Sequence, residues 1–282
     1  MGCIVNFFFS TEKGRFEIFI SDKYAEYLSH HRNIIYTCIT NSYNDVPDSM
    51  FIDQNGIEDD LGFKNIIFVE NEFDAEVGSD PRIVFFSSHG ADPRYIAKVF
   101  KIFPQVFMPN LESSVWVDGN VRFSKSINGL VVDFLASKKS FGVFKHNKRN
   151  NVLEELGECI KFSKDAADVM KSQVNRYRAK YDLDLLGLYQ GRFLLRNHGR
   201  EQIVSKISDE WWAEVSTYSV RDQLSLPIVV FENRLNVKVY ESEELSDLAK
   251  VYKHKRYLNY NQNIGFIGRV RWLLGKIIYT IR

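Results

Sequence analysis

Ser114-Val115-Trp116-Val117-Asp118-Gly119-Asn120-Val121 is an apolar run that ends in an acid, a glycine and an amide. Val115, Trp116 and Val117 are strand formers. Asp118 and Asn120 offer side-chain oxygens two positions apart. Gly119 between them lets the backbone turn sharply or lie close to a ligand. Hard divalent cations such as Mg²⁺ and Mn²⁺ take oxygen ligands and share them with substrate phosphates. A tight Asp-Gly turn closing a hairpin uses the same letters, so the stretch alone leaves both readings open.

Upstream, three runs have the same build. Asn33 to Thr40 is almost continuously apolar and opens into the polar loop Asn41-Ser42-Tyr43-Asn44-Asp45. Lys64 to Glu70 ends at Asn71, and Ile83 to Phe86 ends at Ser87-Ser88-His89-Gly90. Continuous apolar runs suit strands buried on both faces. Asp92 to Phe103 between them reads as a helix, with Pro93 in its first turn. Its basic residues Arg94, Lys98 and Lys101 are spaced four and three apart and so share one face. Strands with polar carboxyl-end loops, separated by helices, describe an α/β sheet. Ligands of such sheets sit beyond the carboxyl ends of the strands. That rim holds residues 40–45, 70–71 and 118–120.

Downstream, Ile127 to Ser137 reads as a helix. Phe141 to Phe144 is a strand leading into Lys145-His146-Asn147-Lys148-Arg149. This loop is either a solvated surface turn or a partner for a diphosphate, whose departing charge Arg and Lys can neutralise. Asn151 to Tyr181 is a long helical region with a break near Ser163. Its stripe of Ala167, Met170, Val174, Tyr177 and Tyr181 reads as packing. Leu185 to Arg196 is strand-like, Ser208 and Arg221 open helical runs, and Val237 to Tyr240 is a last strand. At the other end, residues 3–9 and 16–20 suggest a hairpin around Glu12-Lys13-Gly14, and residues 25–31 a short helix.

Composition bounds the rest. The chain has 282 residues, 45% hydrophobic and 14% aromatic, which suits a filled core and not disorder. The net charge of +1 gives no global bias toward nucleic acid. Cys3, Cys38 and Cys159 fit no metal-ligand spacing and read as reduced intracellular thiols. The amino-terminal residues lack a signal-peptide pattern, and no uncharged apolar run is long enough to cross a bilayer. A cytoplasmic protein is expected.

Taken in order, several pieces together resemble one family. They are Tyr36-Thr37…Tyr43…Asp45, Arg94…Lys98…Lys101…Pro104, Val115-Trp116-Val117-Asp118-Gly119-Asn120, Phe144-Lys145-His146…Arg149…Glu154, Gly187-Leu188-Tyr189, Trp211-Trp212…Glu214 and Arg221-Asp222-Gln223-Leu224-Ser225. The family is one of glycosyltransferase-like proteins long catalogued as a domain of unknown function. It includes plant Golgi proteins implicated in pectin and mucilage synthesis and bacterial proteins of surface-polysaccharide clusters. The resemblance spans roughly residues 33–240.

The resemblance implies a GT-A-like, Rossmann-type α/β domain with a mixed central sheet. It implies a sugar moved from a nucleoside diphosphate sugar, a UDP-sugar in the first instance, to a glycan or lipid-linked acceptor. Mn²⁺ or Mg²⁺ would be held by an Asp-x-Asp motif, represented by Asp118 and Asn120, where the second acid is an amide. His254 would be the late histidine ligand, although it also belongs to the basic run Lys253-His254-Lys255-Arg256. Asp222 would be the general base or an acceptor-binding carboxylate; it also suits a helix N-terminus. Thr37, Asn41, Arg94, Lys98, Lys145, His146 and Arg149 would bind the donor and its phosphates. A non-catalytic nucleotide-sugar or glycan-binding protein derived from a transferase is the alternative.

The expected organisation is an extension over residues 1–32, a transferase domain over 33–245 and a basic tail over 246–282. From Lys250 to Arg282 there are eight Lys/Arg and no Asp/Glu. In residues 264–282, Phe266, Ile267, Val270, Leu273, Leu274, Ile277, Ile278 and Ile281 fall on one helical stripe with basic flanks. That pattern suits a helix lying on an anionic membrane, on the inner face of the plasma membrane, or one packed on protein.

Overall fold

The structure is a computed structural model, and it describes residues 4–40, 61–70, 80–90 and 92–252. Asn41, His254 and the amphipathic stretch 264–282 lie outside the described residues.

Among the described residues the central element is a nine-stranded mixed sheet. Its strands are β1 (Ile4–Thr11), β2 (Gly14–Ser21), β3 (Asn33–Ile39), β4 (Lys64–Glu70), β5 (Ile83–His89), β6 (Ser113–Val117), β8 (Phe141–Lys145), β9 (Tyr189–Asn197) and β10 (Val237–Tyr240). Their spatial order is β1-β2-β5-β4-β3-β6-β9-β8-β10. The block from β5 through β6 is parallel, as is β8 with β10, while β9 runs antiparallel between β6 and β8. The expected GT-A-like mixed α/β sheet is therefore present, and the central apolar runs occupy its middle. Two short strands, β7 (Val121–Phe123) and β11 (Ala249–Val251), pair antiparallel beside it.

The amino-terminal hairpin joins the same sheet. Gly14 takes φ +128° in its turn, a value that favours glycine. β2 pairs antiparallel with β5 from Glu17↔His89 to Phe19↔Ser87. Phe9 stacks on Phe16 and meets Phe103 and Trp212.

The helical segments include α1 (Asp22–Ser29), α2 (Pro93–Ile102), α3 (Pro104–Phe107), α4 (Asn128–Ala136), α5 (Val152–Lys161), α6 (Ala167–Arg178), α7 (Glu201–Thr217) and α8 (Asp222–Glu232). The long helical region breaks between α5 and α6, where Ser163 sits at φ +49°. Alternation in β3 sorts side chains to two cores. Ile34, Tyr36 and Cys38 join one with α2 and α7, and Ile35 and Ile39 join the other with β7 and α4.

Helix α2 is central to the site. The Asp92 carboxylate caps its start by accepting from the Arg94 amide, and Pro93 occupies the first turn. Phe100, fully buried, packs at 4.3–4.6 Å centroid distance on Phe107, Phe68 and Phe86. The far end of α2 is buried, so its carbonyls need internal donors. Arg196 Nη2 donates to the Lys101 carbonyl at 2.6 Å, Tyr36 Oη to the same oxygen at 3.3 Å, and Ser208 Oγ to the Ile102 carbonyl at 2.7 Å. A buried guanidinium at a helix carboxyl end also matches the helix dipole.

Candidate active site

The stretch that ends β6 is both a turn and a place for a ligand. The Val121 amide donates to the Asp118 carbonyl at 2.9 Å, which closes the turn, and the Asp118 amide donates to the Arg192 carbonyl of β9 at 2.8 Å. Arg122 Nη1 bonds the Gly119 and Val121 carbonyls and fixes the loop. Trp116 Nε1 donates to Asp118 Oδ1 at 2.8 Å. Asp118 stays about a third exposed, with 35% of its side chain accessible.

Asn120 is held by the chain's late segment. Its Nδ2 donates to the Tyr252 carbonyl at 2.9 Å, and the Tyr252 amide donates to the Asn120 carbonyl at 2.8 Å. Asn120 Oδ1 is buried and has no hydrogen-bond partner. A buried oxygen without a partner carries a desolvation cost of about 1–3 kcal/mol. An oxygen-seeking cation shared with Asp118 would remove that cost, so the residues present fit a hard divalent ion. Among the described residues no group of three or more His, Cys, Asp or Glu could hold a metal.

Behind this turn runs a buried chain of alternating charge. Lys101 Nζ lies 3.9 Å from Asp118 Oδ1 and is bonded to Asp222 Oδ2, and Asp222 Oδ1 lies 2.9 Å from Lys98 Nζ. The Lys101 ammonium also sits 5.8 Å from the Trp116 ring and 5.9 Å from the Trp211 ring, within cation–π range. Burial lowers the Lys98 pKa to about 8, partly offset by Asp222. Burial alone would raise the Asp222 carboxyl, but Lys101, Lys98 and Arg221 outweigh it and hold the group well below the usual carboxylate range. Both Asp222 oxygens are thus engaged by lysines. A carboxylate so held is a weak proton acceptor, which disfavours the general-base role expected from its position. The geometry instead makes it the anchor for two ammonium groups.

The other expected donor residues disperse. Thr37 is fully buried in β3, with its hydroxyl unpartnered. Arg94 pairs with Asp92 at 2.6 Å and reaches Asp165 at 3.5 Å, which ties α2 to the loop before α6. Lys145 is exposed and pairs with Glu241. His146 is pushed down to about 4 by burial and by Arg149, and its Nδ1 accepts from the Lys148 and Arg149 amides, so it is neutral at pH 7. Arg149 Nε donates to the buried Glu155 at 2.6 Å. Of these expected donor residues, Lys98 is the one that joins the charge chain behind Asp118, through Asp222 and Lys101.

Three site residues escaped assignment from sequence. Lys101 shared the basic stripe with Lys98, and that spacing was the available signal. Gly191 was visible only as a glycine in a strand; a Cβ there would stand 2.8 Å from Lys101 Nζ and 3.2 Å from Asp222 Oδ2. Trp211 donates its Nε1 to the Asp222 carbonyl at 3.4 Å.

A mixed α/β sheet with an Asp-Gly-Asn turn at its rim is the arrangement that the sequence resemblance implied. The sequence matches the profile of the TOD1/MUCI70 glycosyltransferase-like domain over residues 13–254, and the chain belongs to that family. Among curated proteins no significant match was found. Solved structures with a similar chain course include mouse xyloside xylosyltransferase 1 in its apo form. It is 8% identical, with TM-score 0.41, and 74% of this chain and 84% of that one are covered. Another is the galactosyltransferase LgtC in complex with donor and acceptor sugar analogues, 12% identical, with TM-score 0.42 and coverage of 74% and 73%. A third is the bifunctional glycosyltransferase WbbM, 12% identical, with TM-score 0.44, covering 87% of this chain and 44% of that one. The family assignment rests on the sequence match.

Proposed function

We propose that this chain transfers a sugar from a nucleoside diphosphate sugar, in the first instance a UDP-sugar, to a glycan or lipid-linked acceptor. The observation that supports it is the unpartnered Asn120 Oδ1 two residues from Asp118 at the sheet rim, with Lys98 and Lys101 behind them. A divalent ion bound to Asp118 and Asn120, with His254 as the proposed third ligand, would act as a Lewis acid toward the leaving diphosphate.

The chain's own residues divide the remaining work. Trp116 and Lys101 hold Asp118 in orientation. Lys98, with 19% of its side chain accessible, is the ammonium able to meet an incoming phosphate. Asp222 fixes both lysines, and Gly191 leaves the space that Lys101 and Asp222 occupy. This chemistry is positioning plus charge stabilisation.

Thermal unfolding with UDP and Mn²⁺ tests the reading. The melting temperature should rise, as for any ligand that binds the folded state, and Asp118→Ala should abolish the rise. A full shift in the variant would sink the site. A screen of nucleotide sugars for metal-dependent hydrolysis then identifies the donor.

A second reading, a nucleotide-sugar or glycan-binding protein without transfer activity, draws on the engagement of both Asp222 oxygens. A thermal shift with no hydrolysis or transfer of any donor would select it. Among the described residues no helix is long and apolar enough to cross a membrane. Membrane docking through residues 264–282 is a proposal from sequence, tested by deleting them and measuring liposome binding.

A further inference from the structure

The four charged groups of the buried chain cancel. Asp118 and Asp222 carry the negative charge, and Lys98 and Lys101 the positive. The residue that completes the rim is Asn120, an amide that adds an oxygen and no charge. With Arg221 adding a further positive charge beside Asp222, a divalent ion arriving at Asp118 and Asn120 therefore meets no net negative charge. The cation that faces the Asp118 carboxylate is Lys101, whose side chain is 2% exposed, bonded to Asp222 and close to the Trp116 and Trp211 rings. The absence of a Cβ at Gly191 is what gives that ammonium its place. Like charges repel, and Asp222 holds Lys101 in place beside Asp118.

We propose that Lys101 is an internal counter-charge to Asp118 that weakens divalent-metal binding in the nucleotide-free protein, so that the ion is taken up together with a diphosphate. The diphosphate brings the negative charge that the protein withholds. This rests on Asp118 and Asn120 being the metal ligands.

The test is direct Mn²⁺ binding, read by the loss of the free-ion electron paramagnetic resonance signal on the full chain without nucleotide. The variants are Lys101→Met, Lys101→Arg, the double variant Lys101→Met with Asp222→Asn, and Asp118→Ala. The double variant removes the Lys101–Asp222 pair as a unit and so avoids an uncompensated buried carboxylate. Removing one positive charge beside the site should tighten Mn²⁺ binding about ten-fold or more in Lys101→Met, and by less in the double variant, which leaves the net charge unchanged but takes the ammonium away from Asp118. Lys101→Arg should bind as weakly as the wild type, and Asp118→Ala should not bind. Adding UDP should tighten Mn²⁺ binding far more in the wild type than in Lys101→Met.

If Mn²⁺ binding depends on Asp118 but is unchanged or weaker in both lysine-free variants, the counter-charge role is wrong and the metal site stands. If no variant binds Mn²⁺ with or without UDP, the metal site itself falls and the counter-charge role with it.

Discussion

Lys98 and Asp222 meet at 2.9 Å, Nζ to Oδ1, and this contact links the partly accessible end of the charge chain to its buried anchor. Burial lowers the pKa of Lys98 from 10.5 to about 8. The pair therefore couples pH to both stability and function, with opposite signs.

Between about pH 8 and 10.5 the folded chain has released the Lys98 proton that the unfolded chain still holds. The contribution of this group to stability thus rises with pH across that window. The charge that would meet a phosphate is lost over the same range. UDP affinity should fall above about pH 8 while the Lys98 contribution to folding improves. Titration calorimetry, together with the melting-temperature difference between wild type and Lys98→Met from pH 7 to 10, reads both trends. Parallel trends would contradict the assignment.

Gly191→Ala places a methyl 2.8 Å from Lys101 Nζ and 3.2 Å from Asp222 Oδ2. Overpacking of this kind costs about 1–3 kcal/mol, and here it also separates a buried ion pair. Urea unfolding should show a loss in that range, with a weakened thermal response to UDP and Mn²⁺. Wild-type stability in this variant would mean that Lys101 and Asp222 can move aside without loss of their pairing.

Asn120→Asp restores a second acid but removes the amide donor to the Tyr252 carbonyl. Facing an acceptor with an acceptor should cost about 1–3 kcal/mol in the metal-free protein. The added charge should make Mn²⁺ a stronger stabiliser. The expected pattern is a lower melting temperature without metal and a larger rise with it. Equal responses of variant and wild type to Mn²⁺ would remove Asn120 from the ligand set.

Glu155 is buried between two guanidinium groups, Arg149 at 2.6 Å and Arg221 at 3.6 Å, and accepts from Cys159 Sγ at 3.2 Å. Truncating one partner of a buried charge cluster costs about 3–5 kcal/mol. Glu155→Ala should lose that much in chemical denaturation, and Glu155→Gln less. A near-neutral Glu155→Ala would show the cluster to be solvated.

His198 is buried, contacts Ser114 Oγ at 2.8 Å, and has its pKa lowered from 6.5 to about 3 by burial and by Arg196. As pH falls below 6.5 the unfolded chain takes up a proton that the folded chain refuses, so stability drops toward acid. Burial pushes His146 in the same direction. The denaturation midpoint of the wild type should fall more between pH 7 and 5 than that of His198→Asn. Equal falls would assign the acid sensitivity to other groups.

The sequence by itself determined the sheet and the place of its rim. The run Ile34 to Ile39 is almost continuously apolar and Val115 to Val117 wholly so, and such runs suit strands covered on both faces. Asp118, Gly119 and Asn120 then fall at a carboxyl end, and the hairpin turn at Gly14 and the helix start at Asp92 and Pro93 are equally local. The partners of the charged residues belonged to tertiary structure. Lys101 finds Asp222 at a sequence separation of 121 residues, and Asn120 finds Tyr252 at 132. The Lys-His-x-x-Arg loop showed its charge in the sequence, but its histidine is neutral and Arg149 is tied to Glu155. The physical reason is that burial and backbone preference are written in residue type and period, over a few neighbouring positions. The energy of a charge depends on which opposite charge the fold sets beside it, and on how much water remains between them.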